Sequence, residues 1–140
     1  MTRVVLDTNI LVSDLLQPLG PSAQLFLRCL NGSLQLCLTG SIFAEYEEVI
    51  SRPRLKRSPD VIAGTLRTIR DIGLWVKPSA RVTICSDPDD DVFLECAQAA
   101  NARYVITGNI KHFPPSWAGA RVVTPRWLLD MLSAETAEED

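Results

Sequence analysis

At 140 residues the chain has the length of one ordinary domain and no room for two. Apolar residues make up 46% and charged residues 22%, which excludes general disorder; a chain this long buries roughly 70% of its unfolded surface and needs no disulfide or structural metal. The formal net charge of −3 excludes a wholly basic nucleic-acid clamp but leaves room for a local basic patch.

The first element is Val4-Val5-Leu6, a short apolar run that reads as a buried parallel strand and stops at Asp7. Helical spacing over residues 10–16 is broken by Pro18-Leu19-Gly20-Pro21. Ser22 then suits the cap of a second helix through Ala23, Phe26, Leu27 and Leu30, which Asn31-Gly32 stops. Alternation over residues 34–38 predicts a strand. Ser41 opens a helix whose apolar positions Ile42, Phe43, Tyr46, Val49 and Ile50 share one face. Helical spacing resumes at Val61, Ile62, Leu66 and Ile69 and ends at Gly73, before a strand within residues 74–76. Asp87-Pro88 starts the next helix, with Asp87 as the cap and Pro88 in the first helical position. Its apolar face, Phe93, Leu94, Ala97 and Ala100, leads to a strand over residues 103–107. A loop with Pro114-Pro115 follows, then a strand around Val122-Val123 and a last helix opened by Thr124-Pro125. From Glu135 onward the chain reads as an acidic tail, solvated and frayed, so the domain is expected over residues 1–133 and the tail over 134–140. This alternation predicts a three-layer α/β/α sandwich around a mostly parallel central sheet.

Cys29, Cys37, Cys85 and Cys96 lie far apart with no CxxC pair, and His112 is the single histidine, so no structural zinc is expected. The cysteines read as buried small hydrophobes of a cytoplasmic protein. No stretch approaches the ~20 apolar residues of a membrane span. The apolar run after Met1-Thr2-Arg3 is too short for a secretory signal.

In a sheet of this type, ligands bind off the carboxyl ends of the strands where the chain order switches. Asp7 stands at such an end; its plain alternative is to cap the next helix. The run Asp87-Pro88-Asp89-Asp90-Asp91 gathers carboxylates at one helix start, where each gains ~0.3–1 kcal/mol from the helix dipole. Asp90 precedes Phe93 by three residues and Ala97 by seven, so it crowns the buried face, whereas Asp91 turns toward Glu95 and reads as solvated. In the Ser41 helix the apolar stripe centres near Tyr46, with Glu48 nearly opposite and Glu45 and Glu47 on its flanks. That geometry leaves Glu45 and Glu47 both open.

Three acids from separate segments at one sheet edge repel one another unless a cation joins them. Hard oxygen donors suit Mg²⁺ or Mn²⁺. Such an ion acidifies a bound water and stabilises charge on a phosphoryl group, so phosphodiester hydrolysis is the chemistry to expect. Residues 51–70 carry Arg52, Arg54, Lys56, Arg57, Arg67 and Arg70 against Asp60 alone. A phosphate backbone is drawn to such a stretch; the alternative is a solvated basic loop. Lys111 and His112, just beyond Asn109, offer a substrate contact; the alternative, favoured for His112, is a surface residue without a role.

At these residues the chain resembles the PIN-domain nuclease family, near the VapC-like toxins of toxin–antitoxin systems. Val5-Leu6-Asp7-Thr8-Asn9 resembles the first motif of the family, whose aspartate binds metal with support from the Thr and Asn. Ser41-Ile42-Phe43-Ala44-Glu45-Tyr46 resembles the second and favours Glu45 over Glu47. The segment from Asp87 to Ala97 resembles the third, with Asp90 as the ligand, and Tyr104-Val105-Ile106-Thr107-Gly108-Asn109 the last. Many members carry a fourth aspartate where this chain has Asn109. The resemblance implies a catalytic set of Asp7, Glu45, Asp90 and Asn109. Asp7, Glu45 and Asp90 would hold Mg²⁺ or Mn²⁺, with Thr8, Asn9, Ser41 and Thr107 in support. It further implies endoribonuclease activity on RNA, a homodimer and a small antitoxin partner, with no membrane association. Arg52, Arg54, Lys56 and Arg57 are the expected substrate contacts. The rival to this reading is a catalytically degenerate PIN-like module that binds RNA or protein, motivated by Asn109. A haloacid-dehalogenase-like phosphatase fits less well, because it needs a second aspartate where the chain has Asn9.

Overall fold

The computed structural model describes residues 1–139. The strands are β1 (Thr2–Leu6), β2 (Leu34–Leu38), β3 (Leu74–Trp75), β4 (Tyr104–Ile106), β5 (Ser116–Trp117) and β6 (Ala120–Val123). The helices are α1 (Thr8–Leu16), α2 (Pro21–Leu30), α3 (Gly40–Ile50), α4 (Pro59–Ile72), α5 (Asp91–Ala100) and α6 (Pro125–Glu139). They form a three-layer α/β/α sandwich around one sheet of order β3-β2-β1-β4-β6-β5, parallel throughout except for the β5–β6 pair. The chain runs outward from β1 through β2 to β3, then returns to the other side of β1 for β4 and β6. The order therefore switches between β1 and β4, and the carboxyl ends of those two strands flank the switch.

The central strands read as continuous apolar runs because both of their faces are covered. Val4, Val5, Leu6, Cys37, Leu38, Val105 and Ile106 have no exposed surface. α5 packs on β1, β2 and β4, while α1 packs on α2 and α3. Cys29, Cys37 and Cys96 are buried, as their sequence context implies; Cys85 is partly exposed, and all four thiols are free. Among the described residues, no helix is long and apolar enough to cross a membrane.

Several helix boundaries differ from the sequence expectation, each for a local reason. α2 begins at Pro21 behind Gly20, and Ser22 lies buried inside the first turn and does not cap it. α3 is capped by Thr39, whose Oγ1 accepts from the Ile42 amide at 3.2 Å, so Ser41 also falls inside the helix. α4 is capped by Ser58 and stops at Gly73. A Cβ at Gly73 would meet Leu38 Cδ1 at 2.6 Å and the Ile69 carbonyl at 2.9 Å, so glycine lets α4 close tightly on β2. Asp87 does cap, accepting from the Asp89 amide at 3.0 Å, but it opens a 3₁₀ turn over Pro88–Asp90. The α-helix proper starts only at Asp91.

β6 is the strand expected around Val122-Val123, but its hairpin partner β5 has no counterpart in the sequence expectation. The two central residues of the hairpin, Ala118 (φ 50°) and Gly119 (φ 87°), both adopt the positive φ that a tight hairpin turn of the primed type requires. The acidic segment from Glu135 continues α6 as far as Glu139, and Asp140, the last residue of the expected tail, lies outside the described residues.

Candidate active site

β1 delivers Asp7 to the switch point and seals it there, 6% exposed. Asp7 occupies the cap position of α1 yet makes no cap hydrogen bond with its side chain. Its Oδ2 instead accepts from the Thr107 hydroxyl at 2.7 Å. Thr107, fully buried just beyond β4, accepts in turn from the Asn109 amide at 3.0 Å. Burial pushes the Asp7 pKa up, and the Thr107 hydroxyl, the nearby amides of Asn9 and Thr8, and the charge of His112 pull the other way without cancelling it. A largely desolvated carboxylate is thus held in one orientation.

α3 supplies Glu45. The phenol of Tyr46, fully buried, donates to the Leu6 carbonyl at 2.5 Å and so fastens α3 to the last residue of β1. That anchor turns Glu45 toward the buried hydroxyl of Thr8, which donates to Glu45 Oε2. Burial raises the Glu45 pKa; the Thr8 hydroxyl opposes this, and the charges of Asp7, Asp89 and Glu48 reinforce it. Glu47 lies exposed on the other flank. Of the two flanking glutamates, Glu45 alone is bonded to Thr8.

Asp90 stands at the junction of the 3₁₀ turn and α5. Its pKa is pushed up to about 6, chiefly by burial, then by the charges of Asp7 and Asp87, with His112 opposing and Glu45 adding to the rise. Glu45 and Asp90 therefore both feel the charge of Asp7, and Asp90 that of Glu45, although the segments carrying them are far apart in sequence. His112 belongs to the same site. It closes a single 3₁₀ turn after Asn109, its amide donating to the Asn109 carbonyl at 3.0 Å, and its charge acts on both Asp7 and Asp90. Sequence reasoning offers His112 a substrate contact but favours a surface residue without a role, since only the β1–β4 pairing brings it near Asp7.

Other residues singled out in the sequence fall elsewhere. Asp91 is buried, not solvated: its Oδ1 accepts from the amides of Ile84 at 3.1 Å and Cys85 at 2.8 Å. Burial raises its pKa, but the Cys85 and Ile84 amides and the Cys85 thiol outweigh that and leave it below the usual value. Ser41 is exposed and lines a separate pocket with Arg81, Thr83 and Pro88, making no hydrogen bond among the described residues. Asn9 is exposed and lines a cleft of ≈270 Å³ that it shares with Gly108 and Arg126. Asn109 is exposed, with its carboxamide unbonded among the described residues. Arg52 pairs with Glu48 at 2.9 Å, while Arg54, Lys56 and Arg57 stand exposed without ion pairs among the described residues. A cavity of ≈590 Å³ lined by Arg3, Asn101 and Arg103 lies at the opposite edge of the sheet and contains no carboxylate.

Among the described residues, no three carboxylate, imidazole or thiol groups stand close enough together to form a ready-made metal cage. The chemistry of the donors nevertheless suits a hard divalent cation. All three acids offer oxygen, all three are held above their usual pKa chiefly by burial, with the Asp7 charge adding to the rise at Glu45 and Asp90, and each reaches the same sheet edge on a different element.

Comparison with known proteins gives the same picture of the chain. The PIN domain family matches residues 3–111. An uncharacterized protein of Methanocaldococcus jannaschii is 24% identical over 110 residues, which span 76% of this chain and 70% of that protein. Among solved structures, the fold is similar to VapBC2 from Rickettsia felis bound to a DNA fragment from its promoter, with a TM-score of 0.57 and 17% identity over 88% of this chain and 98% of that one. It is also similar to FitAB bound to the IR36 DNA fragment, with a TM-score of 0.52 and 15% identity over 87% of this chain and 94% of that one.

Proposed function

The chain belongs to the PIN-domain family, and we propose that it is an endoribonuclease that hydrolyses RNA phosphodiester bonds with Mg²⁺ or Mn²⁺ held by Asp7, Glu45 and Asp90. The observation that carries this reading is the convergence of three acids, from the end of β1, α3 and the start of α5, on the switch point of the sheet, where the charge of Asp7 acts on both Glu45 and Asp90. Bound there, a divalent ion supplies an acidified water and stabilises charge on the phosphoryl group. The chain's own residues do the positioning. Thr107, itself held by the Asn109 amide, fixes the direction of Asp7. Thr8 holds Glu45 on the Asp7 side of α3. His112, whose charge acts on Asp7 and Asp90, stands at the same edge, where it can meet a phosphate oxygen. The free carboxamide of Asn109 can orient a water at the position where many relatives carry an acid. Arg54, Lys56 and Arg57 draw the RNA backbone toward α3, with Arg52 contributing less because Glu48 already neutralises it.

The toxin role is supported by the likeness to VapBC2 and FitAB, and it implies a small antitoxin partner and a homodimer in the cytoplasm. A second reading, a degenerate PIN-like module that binds RNA or protein without cutting, is favoured by Asn109 and by the open arrangement of the acids. Cleavage of a panel of RNAs decides between them. The nuclease reading expects Mg²⁺- or Mn²⁺-dependent cutting that EDTA abolishes and Asp7→Asn removes without loss of the fold. Wild type inert with every metal, together with cutting gained in Asn109→Asp, would establish the degenerate module.

A further inference from the structure

Trp75 ends β3 at the rim where the parallel strands finish. It pairs with Leu38, the last residue of β2, and the next strand over, β1, ends one residue short of Asp7. Neighbouring strands lie about 4.8 Å apart, so the backbone of Trp75 stands about 10 Å from the end of β1.

The indole is 43% exposed, yet it is held in place. Its Nε1 donates to the Arg70 carbonyl at 3.1 Å. Its ring meets Phe43 at 5.3 Å between centroids and a tilt of 51°. The guanidinium of Arg70 lies 5.4 Å from the Phe43 ring centroid. An isolated exposed hydrophobic side chain is ordinary protein surface. A tryptophan clamped by a hydrogen bond and an aromatic neighbour, beside a cation, is a stacking surface whose ordering cost is already met. Arg67 and Arg70 are exposed on α4 and make no ion pair among the described residues, so the surroundings favour an anionic chain. Single-stranded RNA offers both parts of that match, an unstacked base for the indole and a phosphate for the arginines; a duplex hides the faces of its bases.

We propose that Trp75, backed by Phe43 and Arg70, stacks a base of single-stranded RNA and thereby positions the strand whose backbone crosses the Asp7 edge. The identity of the ligand rests on the ribonuclease reading above. Binding of a short labelled oligoadenylate in EDTA tests it without requiring cleavage. Trp75→Leu, which keeps an apolar cover over Phe43 but removes the π face, is expected to weaken binding about ten-fold. Trp75→Phe is expected to stay near wild type, and both variants should melt close to wild type. Unchanged binding in Trp75→Leu overturns the proposal, and so does equal weakening in Trp75→Leu and Trp75→Phe. Should Trp75→Leu not fold, tryptophan emission of the Trp117→Phe/Trp127→Phe double variant, in which Trp75 is the one emitter, decides: quenching by the single strand and not by a duplex supports stacking, and no quenching overturns it. Unchanged binding in Trp75→Leu alongside normal metal-dependent cleavage rejects only the stacking role. Stacking in a protein that cuts nothing rejects only the nuclease reading.

Discussion

Asp7 is nearly sealed from solvent and is oriented by a hydroxyl from a residue 100 positions further along the chain. Its place at a strand end is legible in the sequence, because a short apolar run that stops at an acid in an α/β pattern puts the acid at the carboxyl edge. Its partner Thr107 is not legible from spacing. It becomes visible only through the family resemblance, since the hydrogen bond depends on β1 pairing with β4. Asn109 follows the same logic at lower burial. Asn109→Asp is expected to fold, to cut and to bind metal more tightly, whereas Asn109→Ala should lose roughly 10- to 100-fold in activity, as groups that orient a metal ligand do; single-turnover cleavage with a melting curve for each variant checks both. Asp14 brings a separate dependence on pH. Burial alone pushes its pKa up to about 6. The folded chain therefore binds more protons than the unfolded chain between about pH 4 and pH 6, and this group's contribution to stability falls as pH rises through that window. Asp14→Asn removes the effect. It should be more stable than wild type at pH 7 by on the order of 1 kcal/mol, less than the full shift implies because the side chain keeps partial contact with solvent, and the gain should vanish toward pH 4. Urea denaturation at the two pH values measures it.

At the start of α5 the backbone changes type within one run of aspartates. A single helical wheel beginning at Pro88 brings Asp90 to the site but sends Asp91 to solvent. The chain instead makes a 3₁₀ turn over Pro88–Asp90, which advances about 120° per residue and not 100°, so the phase has shifted by the time α5 begins. Asp91 consequently points inward and ties down the irregular segment before it through the Ile84 and Cys85 amides. No local pattern announces which carboxylate will meet backbone amides from a neighbouring loop. Asp91→Ala leaves those amides unpaired and should cost about 2 kcal/mol in urea denaturation, whereas Asp89→Ala, exposed and outside that network, should stay within about 0.5 kcal/mol of wild type. The β5–β6 hairpin is half hidden in the sequence for a similar reason. Its second strand shows as the apolar pair Val122-Val123, but β5 is two residues long, too short for alternation to register, Pro114-Pro115 precedes it, and Ala118 in the turn departs from the usual Asn or Asp before glycine.

Across the whole molecule, the alternation of helices with apolar strands is enough to read an α/β sandwich, because buried parallel strands must be apolar on both faces. Strand order is not readable, and strand order is what makes the site: the switch between β1 and β4 brings Asp7, Thr107 and His112 to one edge, and α3 and α5 add Glu45 and Asp90. The charge pattern is readable in part. The cations between α3 and α4 stand out in the sequence, but the pairing of Arg52 with Glu48 does not. If Lys56 and Arg57 touch phosphates, replacing both should weaken RNA binding for every sequence alike and reduce the salt slope by about 0.7 for each phosphate no longer neutralised. An unchanged slope would return these residues to a solvated loop. Asp7, Glu45 and Asp90 are proposed to act together on one divalent cation, and calorimetric titration of Mn²⁺ into the whole chain, paired with a melting curve, tests this most directly. A cation shared by the three acids should give measurable binding heat and a melting temperature raised by roughly 5 °C when free metal is about ten times its Kd, both lost in Asp7→Asn while the fold remains. No heat and no thermal shift at millimolar metal, or a response that survives Asp7→Asn, would contradict it.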